Sequence, residues 1–433
     1  MHKKQHFKIQ EFIQRKQNLL HKLGDKKGII LLFAGFEQSG LKFKQESSFY
    51  YFTGINEPAC VWMSDFTGNT TLFTPNCPAR AHWISGAIDP ENFKAQDFAF
   101  DEVKHLGEPT KNYEFYPFFT AQEYSNLLAV IDNTIKSGGK IFTLKPNNQY
   151  EYFEQRFILE RIATFIPNFY EALVDISNEV AQLRRTKSTA EIELLYRAVD
   201  ITIMGHEAAI GIIEPGKYEF DVQAGIEYVF TASAAGLAFP SIVGSGKNST
   251  VLHYADNLKQ LEKDDLVVVD IGAQYGHYCG DLTRTYPVSG KFTKRQKEIY
   301  NLVLDTQEYI ENIAKPGMWL SNKDNPEQSL NHLSKEFLKE RGYDKYFLHG
   351  LGHFVGLDVH DVGNYSEPLK SGDIITIEPG IYIAAESIGV RIEDNYLVAG
   401  DGLVCLSEHL LKKADDVEEL MQEKKLVSEE PRD

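Results

Sequence analysis

Residues 266–286 read LVVVDIGAQYGHYCGDLTRTY: two apolar runs around a turn signal, each carrying one carboxylate, Asp270 and Asp281. A two-residue loop at Tyr275-Gly276 predicts a β-hairpin in which 274 faces 277, 273 faces 278 and Asp270 stands directly opposite Asp281. Directly opposed residues share one face of the pair, with Cβ atoms about 5 Å apart. Two carboxylates so placed among Val267–Val269 repel each other and lose hydration unless a cation sits between them. Solvated edge carboxylates are the plain alternative, and the buried character of the valine run argues against it.

A second stretch repeats the pattern. Residues 374–382 (IITIEPGIY) and 389–394 (GVRIED) form a hairpin if Ala385-Glu386 is the loop, and Glu378 then faces Glu393. Between the hairpins lies LHGLGHFVGLDVHD, residues 348–361, with His349, His353 and His360. His349 and His353 are four apart, but Gly350 and Gly352 oppose a helix. No Glu follows the first histidine, so this is not the zinc-protease HExxH pattern. A fourth histidine, His253, sits upstream in VLHYADN, residues 251–257. Four carboxylates with an imidazole make a hard, oxygen-rich set suited to Mn²⁺, or to Co²⁺, Fe²⁺ or Zn²⁺. Four anionic groups exceed what one dication needs and suit two sharing carboxylates, an arrangement that can hold a bridging hydroxide and polarise a carbonyl.

Outward from these hairpins, Ser188 with Glu191 is a capping-box signal for a long helix over about 189–212, and further helices are expected over about 219–233, 293–314 and 327–341. Helices followed by hairpins indicate an α+β layer with helices over an antiparallel sheet. The first part of the chain, to about residue 175, reads as a separate α/β domain. Strands are expected at Ile29–Phe33, Phe49–Phe52, Cys60–Ser64 and Thr70–Phe73, and helices near Gln122–Ile131 and Tyr150–Phe165. Two domains, 1–175 and 176–433, fit a length of 433 residues at roughly 150 per domain. The last dozen residues are highly charged and read as a frayed helix end or a loose tail.

Composition bounds the partners. At 42% hydrophobic and 25% charged, the chain can bury a full core. A formal net charge of −17 disfavours nucleic acid and anionic membranes, which need clustered Lys and Arg. Four cysteines, Cys60, Cys77, Cys279 and Cys405, lie far apart without a CxxC, consistent with a reducing cytoplasm. No signal-peptide pattern precedes the first strand, and Ile29–Ala34 is far too short to span a bilayer.

The set formed by Asp270, Asp281, the His353 of HGLGHFVGLDVHD, the Glu378 of IEPG and the Glu393 of VRIED resembles the metallopeptidases of the pita-bread fold. Within them it resembles the aminopeptidase P and prolidase branch. The resemblance extends to the N-terminal part, where residues 43–58, FKQESSFYYFTGINEP, look like the aminopeptidase P N-terminal domain. Methionine aminopeptidases lack such a domain, and creatinase lacks the metal ligands.

The resemblance implies a role for each matching residue. Asp270 would bind one metal, Asp281 and Glu393 would bridge the two, and His353 and Glu378 would complete the other. Glu378 would also handle the proton of the bridging water. His253 and His360 would stabilise the tetrahedral intermediate and the leaving nitrogen, His349 would line the proline subsite, and Arg391 and Thr283 would orient carboxylates. The implied activity is release of the N-terminal residue from peptides with proline second, by a cytosolic homodimer or homotetramer in which Trp83 of a neighbour narrows the cleft. An Xaa-Pro dipeptidase is the alternative within the branch. Dipeptide-cutting members place an Arg shortly before VRIED, and Gly380–Val390 has none. A catalytically dead pita-bread binding protein is the alternative outside it, and the complete ligand set argues against that.

Overall fold

A computed structural model describes residues 6–84, 88, 93–111, 114, 120–145 and 153–429. The chain divides into two compact units, residues 1–184 and 185–433. The division falls at the last residue of the short helix Ser177–Arg185.

The first unit is built on a mixed six-stranded sheet. Its order is Glu102–His105, Thr70–Thr74, Val61–Asp65, Gly28–Phe33, Lys140–Thr143 and Leu173–Asp175. Gly28–Phe33 is buried along nearly its whole length, so its continuous apolar run serves both faces. Leu127, Ile131, Ile158 and Ile162 from the helices Ser125–Lys136 and Phe153–Phe165 pack against it. The expected strand at Phe49–Phe52 is instead part of a helix, Ser47–Thr53. Its caps outweigh the β-propensity of the aromatic run. The Glu46 carboxylate accepts from the Ser48 and Phe49 amides, and Gly54 closes the helix in the left-handed region.

In the second unit, Thr189–Ile212 opens with the Ser188–Glu191 capping box. The helices Glu219–Ala232, Lys294–Ile313 and Leu330–Lys339 follow, the last preceded by a 3₁₀ turn at Pro326–Gln328. Leu266–Ile271 lies between Ile242–Ser245 and Leu282–Pro287, antiparallel to both. Asp394–Val398 lies between Ile374–Ile377 and Leu403–Cys405. Gly380–Ile383 pairs with Ile388–Arg391. An antiparallel bridge, Thr283 to Glu393, joins the two hairpins.

The first hairpin differs in register from the expectation. Thr283, not Asp281, stands opposite Asp270, and Tyr275 pairs with Tyr278. The loop is therefore Gly276-His277, both at positive φ (57° and 72°). A two-residue hairpin turn of this type needs positive φ at both central positions. Asp281 precedes Thr283 by two, so the period-2 alternation of a strand keeps it on the face of Asp270, diagonal to it. In the second hairpin, Ile377 pairs with Asp394 and Gly380 with Arg391, a register that sets Glu378 across from Glu393 as expected. The terminal helix runs over Ala414–Glu429, and residues 430–433 of the expected charged tail lie outside the described residues. Among the described residues, no helix is long and apolar enough to cross a membrane.

Candidate metal centre

The two hairpins and the loop between them place their titratable groups in one buried cluster. Asp281, His353 and Glu393 each present a ligand atom, all within 4.8 Å of one another. His353 Nε2 is 3.3 Å from Asp281 Oδ2 and 3.5 Å from Glu378 Oε1. Its Nδ1 faces the Phe354 carbonyl at 3.1 Å, which keeps a proton on Nδ1 and makes Nε2 the ring nitrogen that can give up its proton to act as a ligand. Thr376 couples loop and strand: its hydroxyl accepts from the His353 amide and donates to Glu378 Oε1 at 3.2 Å. Asn395 clamps the backbone of Asp281, accepting from its amide at 3.0 Å and donating to its carbonyl at 2.8 Å.

Asp270 is anchored differently. Arg391 Nη2 meets Asp270 Oδ2, while Nη1 donates to the Tyr382 hydroxyl (2.8 Å) and Nε to Thr283 Oγ1 (3.2 Å). Thr283 passes its own proton to Glu393 Oε2 at 2.7 Å. One guanidinium thus fixes three groups, including the alcohol that orients a second carboxylate. Asp270 Oδ1 is buried with no hydrogen-bond partner among the described residues.

Burial and mutual charge set the electrostatics of the cluster. Burial, reinforced by the charge of Asp270, pushes Asp281 up to about 6. Burial and the charges of Asp281 and Asp270 push Glu378 up to about 7, and Glu393 is raised well above the carboxylate range. Burial would lower His353, but its bond to Asp281 and the charges of Glu378 and Asp281 hold it up at about 9. Buried carboxylates packed this closely require positive charge between them. Together with the orphaned oxygen of Asp270, this donor set fits divalent cations.

The other three histidines surround the cluster. His349 donates from Nδ1 to the Gly350 carbonyl, which leaves Nε2 to accept from the Tyr382 hydroxyl at 2.9 Å. The His360 ring lies 4.0 Å from that of His353. Burial, aided by nearby positive charge, lowers both His349 and His360 to about 4, so both are neutral imidazoles at neutral pH. His253 is exposed, and its charge bears on both. Trp83 is 66% exposed on the first unit. Tyr382, Thr376 and Asn395 escaped the sequence reading. Each lies an even number of residues along a strand from a carboxylate already singled out, and extending the period-2 pattern from Glu378 and Glu393 would have reached them.

A carboxylate-rich, two-hairpin centre in an α+β unit defines a metallopeptidase of the pita-bread class. Residues 193–399 match the family described as Metallopeptidase family M24, and residues 12–115 match Aminopeptidase P, N-terminal domain. The chain is 31% identical over 451 residues to the Xaa-Pro aminopeptidase of Escherichia coli K12, covering 95% of this chain and 97% of that one. It is 41% identical over 232 residues to the Xaa-Pro dipeptidase of Pyrococcus furiosus, covering 52% of this chain and 64% of that one. The solved structure of a putative aminopeptidase P from Bacillus anthracis superposes with a TM-score of 0.83 at 30% identity, covering 96% of this chain and 99% of that chain. The chain belongs to metallopeptidase family M24, with an aminopeptidase P-type N-terminal domain, and is a hydrolase.

Proposed function

We propose that this chain is a metal-dependent aminopeptidase that releases the N-terminal residue from peptides with proline in second position. The observation that carries the proposal is the buried cluster of Asp281, His353, Glu378 and Glu393, whose charges act on one another and on which Asp270, with one unpartnered oxygen, also acts. It occurs in a chain aligned end to end with an Xaa-Pro aminopeptidase.

Those five residues would hold two divalent cations, Mn²⁺ first, with Co²⁺, Zn²⁺ or Fe²⁺ also suited to the set. Bound there, the cations would supply Lewis acidity and lower the pKa of water. The chain's own groups do the rest. Glu378 is the most open of the cluster carboxylates that contact His353, with its side chain 17% exposed against 6% for Asp281. It therefore takes the proton of the attacking water and passes it to the leaving proline nitrogen. The neutral imidazole of His360, with His253 at the rim, hydrogen-bonds the tetrahedral oxygen and the leaving nitrogen. His349, edge-on to Phe347 and held by Tyr382, lines the proline subsite. Arg391 and Thr283 keep Asp270 and Glu393 in place.

The proposal includes a cytoplasmic homodimer or homotetramer with Trp83 facing a neighbour's cleft, peptides as its only partners, and neither nucleic acid nor membrane. It also includes an N-terminal domain ending near residue 175. The dipeptidase reading draws on the higher local identity to the Pyrococcus furiosus protein, but that alignment covers only 52% of this chain. Hydrolysis of Xaa-Pro-Xaa and Xaa-Ala-Xaa peptides, with and without chelator, tests the function. The expected result is metal-dependent release of the first residue from the proline peptide alone. Undiminished activity in metal-stripped protein, or no hydrolysis with added Mn²⁺, overturns it.

A further inference from the structure

The segment that carries His253 has little regular structure of its own. A 3₁₀ turn covers Gly246–Thr250, and residues 251–259 form neither helix nor strand. An exposed histidine on such a segment is useful to a reaction only if something else holds the backbone still. Glu219, the first residue of the helix Glu219–Ala232, is fully buried. Its Oε1 accepts from the Ser245 amide and hydroxyl, both at 2.7 Å, and from Asn248 Nδ2 at 3.3 Å. Its Oε2 accepts from the Tyr254 hydroxyl and the Lys259 amide, both at 2.8 Å. The donors come from both ends of the segment and from the residue next to His253.

Each oxygen of Glu219 therefore serves one backbone N–H, a donor that cannot reverse its role. A glutamine has one acceptor oxygen, so one of the two amides would face an NH₂ group and lose its bond. An aspartate is one methylene shorter and cannot span both. The arrangement calls for a carboxylate of this length.

We propose that Glu219 is a positioning residue, whose buried carboxylate holds the 245–259 segment so that His253 is presented to the substrate. The inference rests on the role given to His253 under Proposed function.

A double-mutant cycle of Glu219→Gln with His253→Ala tests it, using the full chain loaded with Mn²⁺ and an Xaa-Pro-Xaa peptide. Bound metal is measured on every variant. Glu219→Gln is expected to lower kcat/KM about tenfold in the native background but less than twofold in the His253→Ala background, with metal content unchanged. An equal loss in both backgrounds, or a loss of metal, overturns the positioning role. If His253→Ala alone leaves an active enzyme unimpaired, the role of His253 itself fails, an outcome distinct from an additive cycle. Should Glu219→Gln not fold, Tyr254→Phe removes one donor from the same carboxylate. Its loss, roughly threefold, must likewise vanish without His253, and persistence there overturns the proposal.

Discussion

Arg391 holds one oxygen of Asp270, and the other oxygen of Asp270 is buried without a hydrogen-bond partner among the described residues. The guanidinium also binds Tyr382 and Thr283, so its planar fork sets three groups at once. A lysine offers a single ammonium and cannot reproduce that geometry. Arg391→Lys is expected to weaken metal binding by roughly 10–100-fold, the usual cost of disturbing a group that orients ligands. Arg391→Met leaves Asp270 as a buried, unpaired charge and is expected to cost about 3–5 kcal/mol of stability in the metal-free protein. Metal titration calorimetry and denaturant unfolding read the two effects. Metal affinity within twofold of native in Arg391→Lys would count against the arrangement.

Asp281 lies within reach of His353 and has its backbone clamped by Asn395. Asp281→Asn keeps the volume and removes the charge, and is expected to abolish nearly all activity while leaving the fold intact. Saturating Mn²⁺ should stabilise the native state by mass action, on the order of 2.7 kcal/mol at a hundredfold excess over Kd, and so raise the Tm. Glu393→Gln should shrink that rise. An unchanged Tm at saturating metal would mean that the five residues do not bind it.

The metal-free centre also sets a pH dependence. Asp281 and Glu378 are raised to about 6 and about 7 when folded, by burial and by the charges of neighbouring carboxylates, Asp270 for both and Asp281 for Glu378. Carboxyls with raised folded values bind more protons folded than unfolded, so they destabilise the protein as pH rises through those values. His353, held at about 9, acts in the same direction. Its stabilising contribution is complete below the unfolded imidazole value of about 6.5 and is lost as pH climbs through 9. Metal-stripped protein is therefore expected to lose Tm between about pH 5 and pH 9. The increment from added Mn²⁺ should grow over the same interval, because ligands must shed protons to bind. Thermal scans with and without chelator measure both, and an increment larger at pH 5.5 than at pH 8 contradicts the description.

Much of this architecture is legible in the sequence. The Ser188–Glu191 capping box marked the start of the long helix, and the paired apolar runs located both hairpins. Which face each carboxylate occupies also followed, because strand parity survives a register change of two. What parity cannot give is the register itself. The choice of Gly276-His277 over Tyr275-Gly276 depends on two residues adopting positive φ, and His277 carries no strong signal for that. Phe49–Phe52 misled because β-propensity reports side-chain packing, whereas Glu46 and Gly54 specify a helix through backbone caps. The hydroxyl of Tyr382 joins Arg391 to His349, thirty-three residues before it in the chain, and no local pattern reveals such a contact.

Substrate length depends on what the second hairpin offers a peptide's C-terminus. Gly380–Ile383 and Ile388–Arg391 are joined by the 3₁₀ turn Ala384–Glu386 and Ser387, a connection that contains no cation. Its one charged residue, Glu386, is acidic and faces Arg295 through two hydrogen bonds, at 2.7 and 2.9 Å. Arg391 is committed to Asp270, Tyr382 and Thr283 inside the cluster. A bidentate Arg–carboxylate contact is among the strongest polar anchors for a free C-terminus, and this hairpin does not supply one. A dipeptide is therefore poorly held, whereas a longer peptide carries its carboxylate away from the site and gains backbone contacts instead. The expected kcat/KM for Xaa-Pro-Xaa exceeds that for Xaa-Pro by at least about tenfold, one lost anchor of roughly 1.5–3 kcal/mol. Placing an arginine in the turn by Ala385→Arg should narrow the gap, chiefly by lowering KM for the dipeptide. Steady-state kinetics on matched peptides decide the matter. Faster turnover of dipeptides than of tripeptides would replace the aminopeptidase reading with the dipeptidase one.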